Sequence, residues 1–270
     1  MYFRQETVDM EKNNKGNYKK QVGQSASGSI KTYKKDSEVS YALGAAPTFE
    51  LLKKYPQQTR RVFVHSDWER GAASEELFRI CRNLGIEPEE RNKAFSVLSQ
   101  KENCFVIGEF EKFYPALDPS KTHIVLVNPS NSGNLGTILR TALGFGIYDI
   151  AIIRPGVDVF DPKTVRASMG AVFSLRVKYF DSFDEYLTGS DCGMEGRSFY
   201  PFMLKATMEL GSAPLAQRCS LIFGNEATGL PDSFLNVGES VIIRHSNEID
   251  SLNLPMAVGI ALYEWKRSNR

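Results

Sequence analysis

The stretch NPSNSGNLGTILRTALGFG, residues 128–146, directly follows the apolar run HIVLV. A continuous run of this kind reads as a strand covered on both faces. Small residues and amides then crowd a turn, and Asn134 is placed to cap a helix that starts at Leu135. Leu135, Ile138, Leu139, Ala142 and Leu143 fall at helical spacing and form the core stripe, and Gly146 ends the helix. The opposite face carries Gly136, Thr137, Arg140 and Thr141. Asn134 and Arg140 lie about one and a half turns apart. Both are expected to look toward the crevice at the strand's carboxyl end, where open α/β sheets bind ligands. The turn has neither the lysine of a P-loop nor the G-x-G-x-x-G of a dinucleotide fold.

The pattern continues outward. DIAIIR, SLRVKYF, CSLIFG and SVIIRH are further continuous apolar runs alternating with helical segments, which predicts a mostly parallel sheet with helices on both faces. Two later strand ends are also suited to a ligand. LIFGNEATGLPDSF (221–234) runs a buried strand into a glycine-flanked loop holding Glu226; such a loop exposes backbone N–H groups and permits close approach. In VIIRHSNEIDSLNLPMAVGIALYEW (241–265), a polar loop leads to Ser251-Leu252-Asn253 at the start of a final helix, with Pro255 in its first turn. That helix, about 254–266, is apolar almost all round before its basic end and is expected to be buried.

Upstream, residues 37–115 read as a small α/β domain. SYALGAAPTFELLKKY is expected as a helix, RRVFVH and NCFVIGEF as strands, and SEELFRICRNLGI as a helix closed by Gly85. Residues 116–121 read as a linker to a domain at 122–270, and residues 1–36 as a flexible basic tail. The chain has 270 residues, a hydrophobic fraction of 42% and a net charge of +1, so it can bury a core but carries no global signal for coating nucleic acid. Local basic groups remain, among them Arg60-Arg61, Lys53-Lys54 and Lys34-Lys35. Cys81, Cys104, Cys192 and Cys219 show no C-x-x-C or metal spacing, so no metal is expected and reduced cysteines point to a cytoplasmic protein. No run reaches the roughly 18 apolar residues of a membrane span, and the N-terminus lacks a signal-peptide core.

Three motifs in fixed order carry a family resemblance: Asn134-x-Gly136-x-x-x-Arg140 followed by TALGFG, then Gly224-Asn225-Glu226-x-x-Gly229-Leu230, then Ser251-Leu252-Asn253 before a C-terminal helix. VRASMGAVFSLRV (165–177) adds a fourth segment. Residues 121–270 thereby resemble the SpoU/TrmH family of RNA 2′-O-ribose methyltransferases, in the SPOUT superfamily. Residues 37–115 are similar, more loosely, to the ribosomal-protein-like substrate domain that many members carry.

The resemblance implies a C-terminal trefoil knot, S-adenosyl-L-methionine as methyl donor, an RNA substrate (ribosomal RNA ahead of transfer RNA) and a homodimer. On this analogy the backbone near Gly224, Ile243 and Leu252, with Asn225 and Gly229 of the same loop, holds the cofactor. Arg140 takes the central role, as base or as clamp for a phosphate beside the reacting hydroxyl; a guanidinium that stays protonated up to a pKa above about 12 suits the clamp better. Asn134 orients Arg140 or the ribose, Glu226 holds Arg140 or the N-terminus of a neighbouring helix, and Ser251 and Asn253 contact cofactor or RNA. Arg166, Arg60 and Arg61 are candidate RNA contacts. The family's usual Ile-Pro-Met is here Ile243-Arg244-His245, so the loop lacks the backbone restriction that the proline imposes. The alternative activities are a transfer-RNA ribose methyltransferase and a catalytically silent knotted RNA-binding protein.

Overall fold

The computed structural model describes residues 30–99 and 103–270. The N-terminal module begins with β1 (Val39–Leu43), α1 (Ala45–Lys54) and β2 (Thr59–Val64). It continues through α2 (Ala72–Leu84), β3 (Glu89–Glu90), α3 (Asn92–Leu98) and β4 (Val106–Glu111). Its four strands lie in the order β1-β4-β2-β3, with β1 and β2 each antiparallel to β4. SYAL, expected as helix, is therefore β1. Gly44, at φ 102°, turns the chain before α1 begins. Gly85 ends α2 in the left-handed conformation, as the sequence indicates.

The larger sheet follows from β5 (His123–Val127), α4 (Ser132–Phe145), β6 (Asp149–Ile153), α5 (Pro162–Ala167), β7 (Arg176–Phe180), α6 (Phe183–Thr188), β8 (Ser198–Pro201), β9 (Met208–Glu209), β10 (Cys219–Phe223), β11 (Val241–Ile242) and α7 (Leu254–Ser268). Five strands in the order β7-β6-β5-β10-β8 are all parallel. The unbroken apolar runs are explained by the two covers. Ile124, Leu126, Ile150, Ile152 and Leu221 enter one core with α4, α5 and α7, while Val125, Ala151, Ile153 and Ile222 enter a second core with Tyr186 of α6. SVIIRH, expected in this sheet, is not part of it: only Val241–Ile242 is strand, paired with Met208–Glu209. The fifth place is taken by SFYP, whose Pro201 ends a four-residue edge strand that is too short to read as a run.

In α4, Leu135, Ile138, Leu139 and Ala142 are buried as the spacing requires, and Gly146 caps the end at φ 78°. Gly136, expected on the open face, is instead pressed against α5. A Cβ there would meet the Ala167 Cβ at 2.5 Å and the Thr164 carbonyl oxygen at 2.8 Å. α7 buries Val258, Ala261 and Leu262, yet Met256 is 60% and Tyr263 58% exposed, so only one side of this apolar helix is covered within the chain.

The two modules share one core. Ala42, Leu51 and Phe110 belong to the same cluster as Phe160 and Phe173, and the Phe110 ring meets both edge-on at centroid distances of 5.6 and 5.1 Å. Beside it the Lys112 ammonium donates to Asp158 at 2.8 Å, with side chains only 6% and 8% exposed; the Tyr33 hydroxyl also donates to Asp158, and Lys35 to the Gly156 carbonyl. Of the stretch expected as a tail, residues 1–29 lie outside the described residues, while Tyr33 and Lys35 run along this junction. The expected linker is packed too. Leu117 is buried, and Arg197 donates to the carbonyls of Pro119 and Lys121 at 3.0 and 2.7 Å. At the foot of β5, buried His123 has Nε2 2.8 Å from the Asp118 carbonyl, which can only accept, so Nε2 donates and Nδ1 accepts from the Tyr186 hydroxyl at 2.9 Å.

Candidate active site

A cleft of about 400 Å³ opens at the carboxyl ends of β8, β10 and β11, a volume within the usual range for small-molecule sites. Its apolar wall includes Phe202 and Phe223, whose rings stack at 4.5 Å, with Leu252 and Leu254. Gly224, Asn225, Gly229, Ile243 and Leu252, the five expected cofactor residues, all line it. Gly224 has no substitute: a Cβ would fall 2.1 Å from the Gly229 carbonyl carbon and 2.3 Å from the Leu230 nitrogen. The 224–230 loop is closed by the Gly229 N–H donating to the Asn225 carbonyl at 2.9 Å, and by the Asn225 Oδ1 accepting from the Ala227 and Thr228 N–H groups. The Asn225 Nδ2 donates to the Asn128 carbonyl at 2.8 Å, at a residue held at φ 53°, which ties the loop to the end of β5.

Glu226 makes the second tie. One carboxylate oxygen accepts from the Ser130 N–H at 3.0 Å and the Ser130 hydroxyl at 2.8 Å; the other accepts from the Asn131 N–H at 3.1 Å and the Asn134 Nδ2 at 3.2 Å. The acid thus sits against the positive end of α4. Burial alone would raise its pKa, but the hydrogen bonds from Ser130 and Asn134 outweigh that and hold the carboxyl below the usual range.

The helix cap differs from expectation. Asn131, not Asn134, caps α4, its Oδ1 accepting from the Asn134 N–H at 2.9 Å. The helix starts at Ser132, because Asn131 keeps an extended backbone suited to a cap, and this frees the Asn134 side chain to reach Glu226. The structure brings Asn134 and Glu226 together but not Arg140. Arg140 lies on the exposed face of α4, outside the cleft lining, with no ion pair or hydrogen bond among the described residues.

Ser251 lines the cleft, whereas Asn253 sits outside it as the residue before α7, making no side-chain cap. Arg244, at the family's proline position, donates to Glu209 at 2.9 Å and so ties the loop to β9; His245 stands on the cleft rim, bonded to the Ser246 carbonyl. Arg166 donates to Asn103 at 3.1 Å within the same chain. Arg60 lies 3.9 Å from Glu111, and Arg61 pairs with Glu109 while covering the Phe63 ring, so each of these two arginines already has a carboxylate beside it. Sequence reading missed Lys205, Asp232 and Asp250 on the cleft lining. Lys205 follows the unread strand β8, and the two acids look like ordinary loop residues until the chain folds.

The model of the SpoU rRNA methylase family matches residues 121–263, more than half the chain. The chain belongs to that family. A 23S rRNA (adenosine(1067)-2′-O)-methyltransferase of Streptomyces laurentii is 33% identical over 142 residues, 51% of this chain and 51% of that protein. A tRNA (cytidine/uridine-2′-O-)-methyltransferase of Salmonella typhimurium is 31% identical over 154 residues, 52% of this chain and 61% of that protein. The chain spans about half the length of several of the curated relatives it matches. The fold extends further than the sequence match. The AdoMet-bound rRNA methyltransferase of Sinorhizobium meliloti superposes with a TM-score of 0.72 over 85% of this chain and 87% of that one, at 24% identity. In this SpoU family member the three matched motifs meet around one cleft and one helix, and no described helix is long and apolar enough to cross a membrane.

Proposed function

We propose that this protein transfers a methyl group from S-adenosyl-L-methionine to a ribose 2′-hydroxyl of RNA, ribosomal RNA ahead of transfer RNA. One observation carries the reading: Glu226 lines the cleft and at the same time holds the N-terminus of α4, the helix that bears Arg140. The cleft fits the donor. It has apolar walls for an adenine, a glycine loop packed tightly on itself at Gly224 and open at Gly229, and polar groups at Asn225 and Ser251. Bound there, the donor supplies an electrophilic methyl on a sulfonium.

The chain's own residues do the rest. Arg140, exposed and unpaired, binds an RNA phosphate and thereby aligns the hydroxyl. A protonated guanidinium cannot accept the hydroxyl proton, which passes to that phosphate or to water. Asn134 and Glu226 position α4, and Ser251 lies between cleft and substrate. Asn253 and Arg166 serve the RNA side, and residues 37–115 act as the RNA-binding module ahead of the 122–270 catalytic domain. The packing of α7 against α4 and β10 supports a trefoil knot made by the C-terminal segment. The exposed Met256, Ile260 and Tyr263 on α7 support a homodimer closed across that face. Four buried, unpaired cysteines support a cytoplasmic location.

The test is methyl transfer from labelled S-adenosyl-L-methionine to purified ribosomal and transfer RNA, with 2′-O-methyl mapping of the product. Label in ribose, lost in Arg140→Ala, supports the reading. Donor binding with no transfer to any RNA would overturn it.

A further inference from the structure

Four acidic or basic side chains besides His245 line the cleft: Lys205, Glu226, Asp232 and Asp250. Three are already engaged. The Lys205 ammonium donates to both carboxylate oxygens of Asp232 at 2.7 Å, so the lining's one lysine is neutralised in place. Glu226 accepts four hydrogen bonds at the N-terminus of α4, and its charge faces that helix end. Asp250 has no hydrogen bond or ion pair among the described residues. Its exposed carboxylate is the unpaired charge of a cleft that combines apolar walls with the polar groups of Asn225, Thr228 and Ser251.

We infer that Asp250 sets the charge preference of the cleft, favouring a sulfonium-bearing donor over the neutral thioether left after transfer. The inference rests on the reading of this cleft as the donor site. Donor and product share adenine, ribose and the amino-acid end, and differ in one methyl and one positive charge. Contacts to the shared parts cancel in the ratio of their affinities. The attraction between a carboxylate on the cleft lining and the sulfonium charge does not cancel, although solvent at the exposed Asp250 screens it in part. An effect of about tenfold on the affinity ratio is the scale for one such pair. Favouring the charged form also shifts the competition between spent product and fresh donor toward the donor.

Calorimetric titration of the full chain with S-adenosylmethionine and S-adenosylhomocysteine at pH 8, where an ordinary imidazole is neutral, tests this. Wild type is expected to bind the donor more tightly than the product. Asp250→Asn, which keeps shape and removes charge, should lower that ratio about tenfold through weaker donor binding alone. Asp250→Glu should keep it, and rising salt should erode it in wild type but not in Asp250→Asn. Equal weakening of both ligands would show Asp250 binding a shared hydroxyl or amine and would overturn the inference, as would an unchanged ratio. If wild type binds neither ligand, the donor-site reading falls first and this inference with it.

Discussion

Asn134 reaches the Glu226 carboxylate at 3.2 Å, joining the helix that carries Arg140 to the loop that lines the cleft. The contact spans 92 residues of sequence and exists because Asn131 has taken over the helix cap. Removing the carboxylate should therefore disturb two sites at once. Glu226→Gln turns an amide N–H toward groups that already donate. It is expected to cost about 1–2 kcal/mol in urea unfolding and to weaken donor binding. Because the native pKa of Glu226 is depressed, its contribution is fully present above the unfolded-state pKa and lost as pH falls through the native one. The gap between wild type and Glu226→Gln should then shrink toward low pH; a gap that widens with acid would contradict the assignment.

Arg140 has the opposite profile. Exposed and unpaired, it does little for the fold, so Arg140→Ala should change stability by no more than about 0.5 kcal/mol. Turnover on RNA should fall by about 100-fold or more, with donor affinity unchanged by calorimetry. Near-normal turnover on the true RNA would remove Arg140 from the mechanism.

Gly136→Ala isolates packing from chemistry. An alanine should favour the helix by about 1 kcal/mol, yet its Cβ would stand 2.5 Å from that of Ala167 and 2.9 Å from the Ser168 nitrogen. Overpacking against α5 backbone should win, with net destabilisation of about 1–3 kcal/mol by thermal unfolding.

Lys112→Met strands the buried Asp158 carboxylate and should cost about 3 kcal/mol or more. Adding Asp158→Asn should recover part of the loss. Since the core is continuous across the junction, wild type should unfold in urea as one transition, with fluorescence and far-ultraviolet dichroism coincident. Two separated transitions would mean the modules are independent.

His123 supplies the pH test. Burial, with the nearby Arg197 guanidinium, lowers its pKa to about 4. The unfolded chain binds this proton near pH 6.5 and the native chain does not until near pH 4, so stability is complete above about pH 6.5 and lost as pH falls toward 4. The loss should be about 3 kcal/mol at most, and a His123→Gln variant should lack that slope.

The sheet was legible because strands covered on both faces need unbroken apolar runs, and four of the five betray themselves so. β8 was not, because SFYP is short and proline-ended, and its place depends on pairing with β10. The cleft residues were legible where backbone chemistry demands particular types, as at Gly224 and Gly229. Local pattern could not rank Asn131 against Asn134 as cap, since both are good cap residues and the choice turns on Glu226, far along the chain. Nor could it show that Arg61 would be claimed by Glu109, which is a matter of strand register.

The shared core at Ala42, Phe110, Phe160 and Phe173 bears on how the proposed RNA substrate would be measured. A module on a tether samples many separations and lets the nucleic acid choose. Here the separation between module surface and cleft is set by interlocked rings, so on the proposed reading the protein would act as a fixed gauge and an RNA bound across both parts would have to do the bending. Exchanging the module for one from a relative would require rebuilding those rings as well, because the seam between the two parts runs through hydrocarbon rather than through solvent.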